Sequence, residues 1–153
     1  MFSPANARAM SAYRQVGVQS VVDSASPQQL IKMLFDGLLA SINAARGAIE
    51  RGDINEKVRH IGKAVRILQE GLLSALDREK GGELAGNLAA LYDYCTTRLT
   101  LANARNDLAM VDEVAGLVGT VAQGWNEITN APAPAGAYNM EHTLIAYYRA
   151  TEE

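Results

Sequence analysis

Cysteine occurs once in the chain, at Cys95, so no disulfide can close within it and no thiolate cluster can gather a metal. Aromatic residues are scarce, at 6%, and only four prolines interrupt the chain, which leaves long stretches free to be helical. The formal net charge of −3 offers no global basic field to hold a nucleic-acid backbone. Apolar runs are short. The strongest, Leu30 to Ala40, is broken by Lys32 and Asp36 and cannot span a bilayer. The opening Met-Phe-Ser-Pro-Ala-Asn-Ala-Arg lacks the apolar core of a signal peptide. A reducing cytoplasm is the expected compartment.

What is present is apolar and periodic. Hydrophobic residues make up 48% and charged ones 20% of 153 residues, the composition of one globular domain large enough to bury its own core. Four long helical segments follow from apolar spacing. The first starts at Ser26-Pro27-Gln28-Gln29, with Ser26 as N-cap, Pro27 in the first turn and Gln29 closing a capping box. Its stripe runs Ile31, Leu34, Phe35, Leu38, Ile42, Ala45 and Ile49, and Gly52 stops it. The second starts at Asp53 with Glu56 three residues on, and carries Val58, Ile61, Val65, Leu68, Leu72 and Leu76 until residues 77–82 break it. The third carries Leu84, Leu88, Leu91, Cys95, Leu99 and Ala102. Asn106-Asp107 marks a turn and N-cap, and the fourth carries Val111, Val114, Val118, Val121, Trp125 and Ile128.

Long helices joined by short loops pack as antiparallel neighbours. The expected fold is therefore all-α: an antiparallel four-helix bundle over 24–130, a short N-terminal cap helix within 1–23, and a short helical tail. Residues 131–138 read as an Ala-Pro linker. Beyond it Met140, Leu144, Tyr147 and Tyr148 stand at helical spacing, with Asn139 as the expected N-cap of an amphipathic tail over 139–153.

Signals for chemistry are missing. His60 borders the core stripe and reads as a solvated rim residue, and no Glu-x-x-His pair exists to hold a di-iron centre. Lys80-Gly81-Gly82 follows a helix, not a strand, and forms no phosphate loop. Cys95 sits between Leu91 and Leu99 on the apolar stripe and reads as a buried, inert thiol. No catalysis, cofactor or metal is expected. Small residues are unusually common inside the helices: Gly37, Gly47, Gly62, Gly71, Gly86, Gly116, Gly119 and Gly124, with Ala40, Ala44 and Ala48. Each such glycine costs about 1 kcal/mol against Ala at an exposed helical site. They serve either tight internal packing or shallow grooves that admit a partner's helix.

Several stretches carry a family resemblance. Tyr13-Arg14-Gln15-Val16-Gly17-Val18, then Ser24-Ala25-Ser26-Pro27-Gln28-Gln29-Leu30-Ile31-Lys32-Met33-Leu34-Phe35-Asp36-Gly37, resemble the start of the flagellar export chaperone family FliS. Gly81 to Leu88, Leu91-Tyr92-Asp93-Tyr94, Ala102-Asn103 and Trp125-Asn126-Glu127-Ile128 are similar to its later parts, in the same order. The resemblance covers about residues 10–130, and Phe35 stands where the family commonly has Tyr. It implies a chaperone that binds the C-terminal region of flagellin, prevents premature polymerisation and hands its client to the flagellar export apparatus. A generic helical adaptor or dimerising bundle is the alternative. The expected client surface follows the outer edges of the first and third helices: Leu30, Met33, Leu34, Gly37, Ala40, Ala44, Leu88, Tyr92 and Leu99, with Tyr13 from the N-terminal segment. Leu34, Leu88 and Leu99 fit plain core equally well. Met10, Tyr13, Val16 and Val18 are apolar and precede the capped start at Ser26, so they need a surface, and the groove is the expected one.

Overall fold

The structure, a computed structural model, describes residues 25–129 and 136–151, apart from the side chains of Met140 and Thr151. The expected N-terminal cap, with Tyr13, lies outside the described residues. Five helices follow one another: α1 Pro27–Arg51, α2 Ile54–Arg66 running on into a π-helical stretch Ile67–Leu73, α3 Arg78–Arg105, α4 Leu108–Thr129 and α5 Met140–Thr151. Among the described residues there is no strand, and the fold is all-α.

The ends lie where side-chain chemistry sets them. The Ser26 hydroxyl accepts from the Gln29 amide, and the Gln29 side chain accepts from the Ser26 amide at 2.8 Å, a complete capping box. Gly52 takes a left-handed φ of 69° and returns its amide to Ala48 and Ile49. Asp53, Asp77 and Asp107 each accept the amide three residues on. Asn106, at φ 52°, ends α3 in the left-handed region that Asn tolerates. Lys57 is buried because it serves that end: its Nζ donates to the Asn103 carbonyl at 2.9 Å and Asn106 Oδ1 at 2.7 Å, a cation on the negative end of α3.

Ties between helices fix their directions. Trp125 Nε1, near the end of α4, donates to the Gln28 carbonyl at the start of α1. Arg46, near the end of α1, pairs with Asp112 at the start of α4. Lys57 at the start of α2 reaches the end of α3, so these neighbours run antiparallel. α1 packs on α2 and α4, and α3 packs on α4, α2 and the π-helical stretch; α1 and α3 are thus diagonal. The core joins Leu34, Leu38 and Ile42 to Leu68, Leu72, Tyr92, Leu99, Val111 and Val114.

Three expectations change. Val58 is half exposed although Ile61 is buried as expected, because Lys57 turns inward in its place to cap α3. In α3 the buried stripe begins at Ala85, Ala89 and Tyr92, one residue off the expected Leu84, Leu88 and Leu91. Both stripes run on the same unbroken helix and both lead to Cys95, and the small Ala85 and Ala89 take the inner one. Gly82, at φ 52° and ψ −128°, a conformation costly for any L side chain, separates the first turn from the helix proper. Third, Ala137 and Tyr138, placed in the expected linker, are buried. The Asp77 amide donates to the Ala137 carbonyl and the Asn139 amide to the Ala75 carbonyl, which satisfies groups that the break between α2 and α3 would leave unpaired.

Candidate functional site

The third and fourth helices do not close on each other along their whole length. Toward the start of α3 and the end of α4 they leave a groove of about 220 Å³. It is lined by Leu84, Leu88 and Tyr92 of α3, Val121, Gly124, Trp125 and Ile128 of α4, Phe35 of α1, and Tyr138. No carboxylate, amine or imidazole lines it. Phe35, Tyr92, Trp125 and Tyr138 are buried and form the floor, whereas Leu84 is 49% and Ile128 43% exposed at the rim. A Cβ added at Gly124 would meet nothing within 4 Å, so this wall is open to a close approach.

The floor is rigid for identifiable reasons. Trp125 and Tyr138 stack edge to face with ring centroids 5.3 Å apart. The Tyr92 and Tyr138 hydroxyls share a hydrogen bond of 2.5 Å. Burial pushes both phenols well above their ordinary value, so both stay protonated and one must donate to the other. Cys95, one turn below Tyr92, is pushed up to about 11 by burial and poorly suited to act as a nucleophile.

The opposite half of the α3–α4 pair is closed by polar ties. Glu113 accepts from the Tyr94 hydroxyl and from Arg98 Nε, each at 2.7 Å, and both hold its carboxyl below the usual range. Arg98 also lies over the Tyr94 ring. His60, on α2, is half-buried beside Glu56 at 3.1 Å. Among the described residues no group of three His, Cys, Asp or Glu gathers to hold a metal, and no helix is long and apolar enough to cross a membrane.

The residues expected from the sequence do not share one surface. Leu88 and Tyr92 meet in the groove. Leu30, Leu34 and Leu99 are buried in the bundle. Gly37 turns toward the π-helical stretch, where a Cβ would lie 3.6 Å from Ile67 Cδ1, whereas Met33 and Ala44 are half-buried and Ala40 is exposed. The reason is the ring order: diagonal helices cannot present a common edge. Leu84, Val121, Trp125, Ile128 and Phe35 were read as core, and Tyr138 as linker. The available signal was the second apolar stripe on α3, beside Ala85 and Ala89, more apolar surface than one packed face requires.

The chain matches known proteins over most of its length. The family model described as "Flagellar protein FliS" matches residues 9–132. The flagellar secretion chaperone FliS of Salmonella typhimurium is 48% identical over 123 residues, covering 80% of this chain and 91% of the relative. The flagellar secretion chaperone FliSB of Pseudomonas aeruginosa is 47% identical, covering 80% and 97%. The FliS of Escherichia coli is 42% identical over 127 residues, covering 83% and 93%. The chain belongs to the FliS family.

Proposed function

From that membership we propose that the chain is a flagellar export chaperone. It binds the C-terminal region of flagellin in the cytoplasm, prevents premature polymerisation and delivers its client to the flagellar secretion apparatus. The observation that carries the binding mode is the uncharged groove between α3 and α4, with its apolar rim at Leu84, Leu88 and Ile128. Such a groove takes the apolar face of an amphipathic helix. Each Å² of apolar surface removed from water contributes about 25 cal/mol, reduced by the cost of ordering an unfolded client. The reading needs no catalysis, cofactor or nucleotide.

The test is binding of full-length flagellin and of flagellin lacking its C-terminal segment. One-to-one binding of the first and none of the second is the expected result. Equal binding of both would place the recognised element elsewhere in the client.

A further inference from the structure

One side chain of the α3–α4 groove comes from beyond the residues matched to the family, 9–132, and that side chain is Tyr138. The segment that delivers it is clamped on both sides. Just before it the Asp77 amide donates to the Ala137 carbonyl at 2.6 Å, and just after it the Asn139 amide donates to the Ala75 carbonyl at 3.0 Å. Tyr138 is thereby paired with Leu76 in an antiparallel bridge. The approach is close enough to require Gly81 in the first turn of α3, because a Cβ there would lie 3.0 Å from Ala137 Cα and 2.6 Å from Ala85 Cβ. Asn139 Oδ1 then accepts from the His142 amide and starts α5. That helix is seated on the bundle through the buried Thr143, Ala146 and Ala150, with Tyr147 packed on the core.

A ring on a backbone fixed at both ends has little freedom left, and the groove removes the rest. The edge-to-face contact with Trp125 and the hydroxyl bond to Tyr92 hold both side-chain torsions of Tyr138. The same bond occupies the Tyr92 hydroxyl, and among the described residues no buried side-chain polar atom is left unpaired. The floor therefore offers a client only apolar surface. The rim of Leu84, Leu88, Val121 and Ile128 is aliphatic, and Tyr138 takes up space beside Trp125 that would otherwise deepen the groove.

We propose that Tyr138 is a specificity-determining residue of the client groove: its ring sets the groove's depth, so that Leu, Ile, Val or Met of a client helix is seated there in preference to an aromatic side chain. This rests on the export-chaperone reading and adds to it the chemical class of the anchor. A close-packed pocket discriminates by volume, because an oversized side chain must displace neighbours that are already in contact. Here the neighbours are rings that hold one another in place.

The experiment measures the affinity of the full-length chain for the C-terminal segment of flagellin, and for single variants of that segment in which each Leu, Ile, Val or Met in turn becomes Phe. With the wild-type chain, the Phe variant at the anchor position should bind at least about tenfold more weakly than the unaltered segment. In the Tyr138→Ala variant that ratio should fall by about tenfold, because the space left by the ring takes in Phe. Tyr138→Leu, which keeps more of the packing, should move it in the same direction, and the conservative Tyr138→Phe should restore the wild-type preference. A residue that only held the fold would lower all affinities together and leave the ratio unmoved. In the wild-type complex, nuclear Overhauser contacts should join client methyl groups to the Tyr138 ring. The assignment is overturned, with the chaperone reading left standing, by any of three results: ratios within about twofold of the wild type in Tyr138→Ala and Tyr138→Leu, no Phe variant weakened on the wild type, or no contact between client methyls and the ring. No binding of the unaltered segment by the wild type overturns the chaperone reading and this inference with it.

Discussion

The α3–α4 pair is built in two unlike halves. Near the Asn106–Asp107 turn, Tyr94, Arg98 and Glu113 bridge the helices and Leu99 fills the space between them with no exposed surface. At the other end the same two helices are bridged by nothing polar and leave Leu84, Leu88, Val121 and Ile128 around an open groove. Side-chain size accounts for the difference. Ala85 and Ala89 take the core positions at the open end, so Leu84 beside them stays exposed and Leu88 only partly buried. Leu99 and Cys95 take them at the closed end. One half is fastened by polar ties and a large core side chain, and the other leaves apolar surface exposed.

This contrast predicts substitutions that separate the two properties. Leu99→Ala removes a fully buried side chain and should cost about 2–5 kcal/mol in chemical denaturation, with client affinity of the folded fraction unchanged. A loss below about 1 kcal/mol would mean that the closed half is loosely packed. Tyr92→Phe leaves the buried Tyr138 hydroxyl without its partner and should cost about 1–3 kcal/mol. Tyr92→Phe with Tyr138→Phe should recover part of that loss, because no polar group then remains unpaired. A double variant as unstable as the sum of the singles would show that the shared hydrogen bond does not couple the two rings.

Alkaline pH probes the closed half at Cys95. Burial raises its thiol in the folded chain to about 11 from an ordinary 9.0, so the unfolded state loses its proton first. Stability is therefore full below about pH 9 and falls as pH rises toward 11. Replacement of Cys95 by Ala should make that limb shallower between about pH 9 and 10, with the buried Tyr92 and Tyr138 phenols still costing stability above about pH 10, and a thiol reagent at about pH 8 should leave the folded protein unmodified. The smallest effect belongs to the surface. Glu113→Gln should change stability by less than about 1 kcal/mol, since exposed ion pairs contribute little, and a larger loss would make the polar bridge a main fastening of the closed half.

Much of the scaffold was legible in the sequence because its signals are local. Ser26 with Gln29, Gly52, Asp53 and the Asn106–Asp107 turn each act within a few residues, and all stand where the spacing puts them. The stripe on α4 was legible down to Trp125, whereas Ile128 stands at the groove rim, 43% exposed. The groove was harder to read. Apolar periodicity cannot tell a leucine facing the core from one facing a partner when a helix carries both stripes, and in α3 it is the small Ala85 and Ala89 that turn inward. Lys57 turning inward depends on a carbonyl 46 residues away, a tertiary fact with no local sign. Tyr138 sits among Ala, Pro and Gly, and its burial follows from pairing with the distant Leu76.

The central claim is that a client helix fills the open half of the α3–α4 pair, and Trp125 reports on it directly. It is the sole tryptophan of the chain and part of the groove floor. A tryptophan-free C-terminal segment of flagellin, titrated against the full-length protein, should change Trp125 emission and reduce its quenching by acrylamide, saturating at one client per chaperone. Leu88→Arg should abolish the change with the melting temperature kept. Binding detected by calorimetry with Trp125 emission and quenching unaltered would contradict the account.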